Sequence, residues 1–181
     1  MDRAALLPIL FQLFRQYGYD GVSLSKISQE TQLGKASLYH HFPNGKAEML
    51  QAAIAYSQHW FEEHILQVLR ADGTAEERLQ QMCDRLKHFY AQGEQPCLMA
   101  TLTTGITQSL CHEQVKSRLQ SLIQAIATVL TEHGLAEEIA IQRAEDAIIT
   151  IQGALILSRG LNEPTLFQRV VSELPQKLCK P

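Results

Sequence analysis

A run of seven residues, Lys35 to His41, carries the side chains whose types and spacing could do the clearest chemistry. In a short helix, Leu38 would turn inward together with Phe42, four residues later. The outward face would then consist of Lys35, Ala36, Ser37, Tyr39, His40 and His41. Lys35, Ser37 and Tyr39 offer donors to base edges or to phosphate. Ala36 would keep the approach to a partner close.

The segments around this run predict a helix-turn-helix. Ser23 is a suitable N-cap for a short helix over 24–31, and Gln32-Leu33-Gly34 is a tight connection to the helix over 35–41. Two helices of about two turns joined by three residues are typical of this motif, whose second helix enters the major groove of DNA. Lys46 opens the next helix beside free backbone amides, which together favour a phosphate oxygen. The predicted partner is double-stranded operator DNA.

Helical spacing continues through the rest of the chain and predicts an all-α fold of nine helices. We expect a DNA-binding domain of three helices over 1–45, containing the helix-turn-helix. A larger helical domain for ligand binding and dimerisation follows over 46–181, with 46–70 as a connecting helix. The predicted helices span 3–17, 24–31, 35–41, 46–70, 74–91, 97–109, 112–133, 136–158 and 164–174.

Charge is distributed unevenly along the chain. Residues 1–50 contain five Lys/Arg and four Asp/Glu, and residues 51–181 contain eleven and fifteen, so the net charges are +1 and −4. Only the first part could face a polyanion at low electrostatic cost. The longest apolar-rich stretch, Ala147 to Leu157, is too short to span a bilayer, and the N-terminus lacks the pattern of a signal peptide. We therefore expect a cytoplasmic protein with no membrane contact.

The N-terminal motif resembles the TetR/AcrR family of bacterial repressors, in the branch of the LmrA/YxaF-type regulators. The residues that carry the resemblance are Gly18-Tyr19-Asp20-Gly21-Val22-Ser23-Leu24, Ile27-Ser28, Leu33-Gly34-Lys35-Ala36-Ser37-Leu38-Tyr39-His40-His41-Phe42-Pro43 and Gly45-Lys46-Ala47-Glu48-Met49. Trp60-Phe61 and Ile151-Gln152-Gly153-Ala154-Leu155 are also similar to that branch.

This resemblance implies a homodimer that represses genes from an operator palindrome and carries a small-molecule pocket in its larger domain. Phosphate contacts would fall to Ser25, Tyr39, His40 and Lys46, and base reading would fall to Lys35, Ala36 and Ser37. The family usually has Gly where this chain has Gln32, at a position that is often left-handed, where Gln costs about 1 kcal/mol. The chain also lacks the basic arm that many members carry before the first helix.

The effector and the dimer interface are placed by helix position. The pocket for an apolar or aromatic effector, of otherwise unknown identity, would be lined by Trp60, His64, Phe89, Met99 and Thr103. By family pattern the last two helices form a four-helix bundle with the partner's pair. The predicted interface residues are Ile148, Ile151, Gly153, Leu155, Leu166 and Val170, where Gly153 would allow a close approach.

Two alternatives stay open from the sequence. A redox-sensing repressor could use Cys97 or Cys111, although few cations lie near either thiol in the sequence to lower its pKa. An enzyme that retains a helix-turn-helix would need a base and an orienting group beside a cysteine, and the sequence places neither there. No His, Cys or carboxylate spacing indicates a metal site, and no cofactor is predicted.

Overall fold

The computed structural model describes residues 2–104 and 107–180. By contacts within the chain it divides into two units, Met1–Trp60 with Leu98–Gln114 and Phe61–Cys97 with Val115–Pro181. Over the described residues all of the regular secondary structure is helical, as the sequence predicts, and the helices number nine. None of the described helices is both long and apolar enough to cross a membrane.

The first four helices are α1 (Arg3–Tyr17), α2 (Leu24–Thr31), α3 (Lys35–His41) and α4. Helix α4 begins as Lys46–Phe61, passes through a π-helical turn at Glu62–Leu66 and ends with Gln67–Arg70. The remaining five are α5 (Ala75–Phe89), α6 (Leu98–Thr101), α7 (Thr107–Glu132), α8 (Glu137–Leu161) and α9 (Pro164–Cys179). A 3-10 turn at Ala91–Gly93 follows α5.

Polar side chains begin the helices where the sequence places them. Ser23 Oγ accepts a hydrogen bond from the backbone N–H of Lys26 at 3.1 Å, which confirms it as the N-cap of α2. Thr74 and Glu77 form the capping box that opens α5. These local bonds satisfy backbone donors that a helix leaves free at its start.

The predicted boundary between the sixth and seventh helices is wrong. Helix α6 ends at Thr101 instead of 109, and α7 begins at Thr107 and continues through the expected break near residue 111. Residues 105 and 106 of the predicted 97–109 helix lie outside the described residues. The hydroxyls of Thr101, Thr103 and Thr104 each donate to the carbonyl three residues earlier. Such bonds give the backbone an alternative to the helix.

Helices α8 and α9 continue past their predicted ends at residues 158 and 174, where a glycine and a proline are expected to stop them. Gly160 lies inside the last turn of α8, and the left-handed residue that caps this helix is Asn162, at φ 56° and ψ 40°. Pro175 lies inside α9 instead of ending it. A side chain of α8 holds the last turn of α9, because Arg143 donates to the carbonyl of Leu178 at 2.8 Å.

Each unit has its own apolar core. In the first unit the fully buried side chains include Leu6, Leu10, Phe14, Ile27, Leu38 and Phe42. In the second they include Leu79, Met82, Ile126, Val129, Phe167 and Val171. Burial of such side chains contributes roughly 1.5–3 kcal/mol each, which is enough to fix how the short helices α2 and α3 pack in the first unit.

Candidate nucleic-acid interface

The turn between α2 and α3 is built by one left-handed residue and one side-chain bond. Gln32 has φ 56° and ψ 26°, which confirms the left-handed backbone expected at this position. Ser28 Oγ donates to the carbonyl of Leu33 at 2.5 Å, so the connection is tied back to α2. The turn therefore holds its shape although it lacks the glycine that would adopt this conformation without cost.

The inner side of α3 is pinned by apolar contacts. Leu38 and Phe42 are both buried, as their spacing predicts. The Arg3 guanidinium lies 4.8 Å from the centre of the Phe42 ring and pairs with Glu48 at 3.0 Å. This cation–π contact and ion pair link α1 to the start of α4 around the end of α3. They fix which side of α3 is left for a partner.

The outer side of α3 presents donors to solvent. Lys35, Ala36, Ser37, Tyr39 and His40 are exposed, and His41 is half-buried with its ring 5.6 Å from that of His40. Ser25, in the first turn of α2, is exposed as well. A recognition helix packs against its own domain on one side and contacts DNA on the other. Helix α3 has this arrangement, because ammonium, hydroxyl and imidazole donors are exposed on one side and apolar side chains are buried on the other.

Tyr39 is supported from below by a glycine turn. Gly45 has φ +67°, and a Cβ built there would lie 3.4 Å from Cε1 of Tyr39. Its N–H donates to the carbonyl of Phe42 at 2.9 Å, which closes the turn after α3. Because glycine leaves room for the ring, the turn packs closely beneath Tyr39 while the side chain stays 46% exposed.

The Lys46 side chain is held by Tyr19, a contact that spacing along the sequence does not predict. Its Nζ donates to the carbonyl of Tyr19 at 3.0 Å and lies 4.1 Å from the centre of the Tyr19 ring. The ammonium group is thus fixed near the N-terminus of α4, where a phosphate would also meet the helix dipole. Tyr19 is 27 residues away, so only tertiary structure brings it to Lys46.

Two family models match the chain. Residues 10–53 match "Bacterial regulatory proteins, tetR family", and residues 75–173 match "Transcriptional regulator LmrA/YxaF-like, C-terminal domain". The second match alone covers more than half of the chain.

The chain belongs to the TetR family of transcriptional regulators. It is therefore a DNA-binding regulator and not an enzyme. Among curated proteins it is similar to the uncharacterized HTH-type transcriptional regulator YxaF of Bacillus subtilis, with 28% identity over 96% of this chain and 93% of that protein. It is also similar to the HTH-type transcriptional regulator LmrA of Bacillus subtilis, with 25% identity over 98% and 96%.

Solved structures share the fold of this TetR-family regulator. A TetR regulator from Legionella pneumophila has a TM-score of 0.82 at 21% identity, covering 95% of this chain and 94% of that chain. A cysteine mutant of the TetR-family regulator CifR, complexed with 26-bp double-strand operator DNA, has a TM-score of 0.77 at 18% identity, with coverage of 97% and 96%.

The five predicted effector residues of the regulator are distributed over both units. Trp60 (half-buried), Met99 (buried) and Thr103 (exposed) belong to the first. His64 and Phe89, both half-buried, belong to the second, where Phe89 packs edge-on against Tyr90. Their role in ligand binding stays a prediction.

The predicted dimer residues differ sharply in exposure. Ile148, Ile151 and Leu155 are buried within the regulator's own second unit, Ile151 and Leu155 at 3% exposure each. These three side chains leave almost no surface for a partner subunit, because they are on the side of α8 that is already covered within the protomer. Gly153, Leu166 and Val170 are half-buried. The large apolar side chains that α8 exposes are instead Ile139, Ile149, Ile156, Leu157 and Leu161.

The cysteines are free thiols, and most of them are buried. Burial raises the pKa of Cys111, and it raises the pKa of Cys83 to about 12. Since the thiolate is the reactive form, this disfavours Cys111 as a redox sensor. The Tyr90 hydroxyl donates to Cys97 Sγ at 3.5 Å. In the described part of the chain, no three His, Cys, Asp or Glu side chains are grouped to hold a metal ion.

Proposed function

We propose that this regulator is a homodimeric repressor that binds a palindromic operator and leaves it when a small molecule binds. Residues 1–45 would bind the operator, with one added contact from Lys46, and residues 46–181 would bind the effector and the second protomer. The observation that carries the proposal is the exposed donor face of α3 above the buried Leu38 and Phe42. Such a regulator would act in the cytoplasm, where operator DNA lies.

The exposed residues would divide between base reading and phosphate binding. Lys35, Ala36 and Ser37 lie in the first turn of α3, the part of a recognition helix that meets base edges. Later in α3, Tyr39 and His40 would contact phosphates, as would Ser25 on α2 and Lys46 on α4. Phosphate contacts fix the register of the protein on DNA, whereas base contacts select the sequence.

A face of α8 supports the homodimer. Ile149 and Ile156 are 68% and 66% exposed, and they share one side of the helix with Gly153 and Gly160 at spacings of four, three and four residues. A Cβ added at either glycine would meet nothing within 4 Å in the protomer. Two-fold packing of this face, with the half-buried Leu166 and Val170 of α9, would cover these side chains. This face replaces Ile148, Ile151 and Leu155 as the proposed contact.

Release would follow from a preference of the effector for the form that binds the operator poorly. A complete shift of a population from 99:1 to 1:99 needs a preference of about 5.5 kcal/mol. By reciprocity, operator would weaken effector binding by the same factor by which effector weakens operator binding. The effector is expected to bind within residues 46–181.

Selection of bound DNA from a random pool tests the proposal. We expect a palindrome whose half-site centres are about 34–36 Å apart, or a multiple of that distance, because two symmetric recognition helices must enter the same side of the duplex. A pool that shows no enriched sequence, or only a single asymmetric site, would contradict it.

A further inference from the structure

One cleft in the second unit has a lining that differs from the apolar pocket expected from the sequence. It has a volume of about 590 Å³ and lies between the end of α4, the first turn of α5 and the C-terminal half of α7. None of the five residues predicted to contact an effector lines it. Its lining residues are Leu69, Arg70, Arg78, Gln120, Ser121, Gln124, Ala125, Thr128 and Glu132. The size is that of a small-molecule site.

Arg78 provides a buried cation in this lining. Nine-tenths of its side chain is buried, its Nη1 donates to the carbonyl of Leu69 at 3.1 Å, and its Nη2 donates to Glu132 at 2.6 Å. The Nε donor is buried and has no hydrogen-bond partner. A buried guanidinium with an unused donor is costly, so the fold gains if a better acceptor binds there.

Glu132 is a replaceable partner for Arg78. Its side chain is 55% exposed and lies in the last turn of α7, and only one of its oxygens is bonded to Arg78. Nε and Nη2 lie on the same edge of a guanidinium, so a free carboxylate can bridge both, with two parallel bonds where Glu132 makes one. Glu132 thus occupies the place that a ligand carboxylate would take.

The rest of the lining suits hydroxyl groups. Gln120, Gln124 and Thr128 follow one another at four-residue spacing on the same face of α7 as Glu132, and Ser121 lies beside them. The amides of Gln120 and Gln124 and the hydroxyl of Ser121 can donate and accept. The Thr128 hydroxyl donates to the carbonyl of Gln124 at 2.9 Å and can accept from a ligand. Of the lining residues, only Leu69 and Ala125 are apolar. Arg70, whose side chain is 60% exposed and pairs with Glu62, adds a second cation at the edge of the cleft.

We propose that this cleft binds a hydroxylated carboxylate of the sugar-acid class, with Arg78 holding the carboxylate in place of Glu132. As the site of an effector, it rests on the proposed function. The ligand-binding test is therefore performed on free protein, and operator binding is measured separately on the same preparations. A regulator that binds the ligand but no DNA would refute the proposed function alone, and one that binds DNA but no ligand would refute this inference alone.

The probe is gluconate, followed by isothermal titration calorimetry. D-glucose, which lacks the carboxylate, and hexanoate, which lacks the hydroxyls, are the ligand controls. We expect gluconate to bind at least about tenfold more tightly than either, because each lacks one half of the recognised chemistry. Equal affinity for hexanoate and gluconate would contradict the assigned ligand class, and no heat with gluconate would mark the Arg78–Glu132 pair as structural only.

Two variants separate ligand recognition from folding. Arg78→Lys keeps the charge but loses the bidentate edge, and should weaken gluconate binding about tenfold. Glu132→Gln leaves Arg78 in place, removes the competing carboxylate, and should strengthen gluconate binding about fivefold. Glu145→Gln, an exposed glutamate on α8, is the matched control and should not change it. Unchanged or weaker binding by folded Glu132→Gln would overturn the proposal, as would undiminished binding by Arg78→Lys.

Discussion

Helices α3 and α8 both expose a continuous face, but the two faces have opposite chemistry. The face of α3 consists of donors around Tyr39, whereas that of α8 consists of Ile149, Ile156, Leu157 and Leu161. A donor face suits a hydrated polyanion, to which each contact is a charge-assisted or neutral hydrogen bond. An apolar face gains free energy only when another apolar surface covers it. The difference supports the proposal that α3 contacts DNA and that α8 packs against a second protomer.

The largest expected effect separates the two sides of α8. Ile151→Glu places a carboxylate in the core of the second unit, which should lower the free energy of unfolding by several kcal/mol, because burial removes the hydration of the charge. Ile156→Glu changes a side chain that is 66% exposed and should leave a folded protomer that no longer dimerises. Thermal unfolding and native mass measurement distinguish these results. A stable dimer of Ile156→Glu would move the interface away from this face.

The second prediction concerns the titratable groups that the second unit buries. The pKa of Cys83 is raised from 9.0 to about 12, so the folded state retains a proton there that the unfolded chain loses above pH 9. The free energy of unfolding should therefore fall as pH rises from 9, by up to about 1.4 kcal/mol per pH unit from this group.

A second buried group, Arg118, changes stability with pH in the opposite direction. Burial lowers the pKa of Arg118 from 12.5 to about 10, so above pH 10 the unfolded chain binds the extra proton and stability from this group rises with pH. The thiol effect is thus clearest between pH 9 and 10. Denaturant titrations at pH 9 and at pH 10 measure the free energy of unfolding. Between the two pH values it should decrease less in the control variant Cys83→Ala than in the unchanged protein. An equal loss would contradict the burial effect.

The third prediction applies to two of the proposed phosphate contacts, Tyr39 on α3 and Lys46 at the start of α4. Tyr39→Phe and Lys46→Met should each weaken binding to selected and to random DNA alike, by about 1 kcal/mol. Lys46→Met should also reduce the salt slope by about one counterion, while Tyr39→Phe, which removes no charge, should not. Binding titrations at several salt concentrations provide the measurement. If a variant lost affinity for the selected sequence alone, the residue that it changes would contact bases and not phosphate.

The smallest effect is expected at the turn that positions α3. Gln32→Gly should raise the free energy of unfolding by up to about 1 kcal/mol, because glycine adopts the left-handed backbone without the cost of a Cβ. Operator preference should not change, since Gln32 precedes α3 and is not among the residues proposed to read bases. A less stable variant would show that the amide makes a contact that outweighs the backbone cost.

The sequence predicts the donor face better than the apolar one, for a physical reason. Residues 23–42 are organised by short-range rules, an N-cap, a left-handed turn and an apolar pair four residues apart, and all of them can be counted along the chain. Helix α8 is apolar nearly all round, so spacing cannot tell its core side from its exposed side. Only tertiary packing decides this, and it leaves Ile151 buried and Ile156 exposed. The Arg78–Glu132 pair joins residues 54 apart and has no local signal at all.

The most direct test of the central claim compares two exposed lysines, Lys35 on α3 and Lys116 on α7. Affinity for the selected operator and for operators with single base changes is measured for Lys35→Ala and Lys116→Ala, which remove the same charge. Lys35→Ala should weaken operator binding by about 1–3 kcal/mol and relax the preference at one base position in each half-site. Lys116→Ala should bind as the unchanged protein does. Equal affinities and unchanged base preferences for the two variants would contradict α3 as the recognition helix.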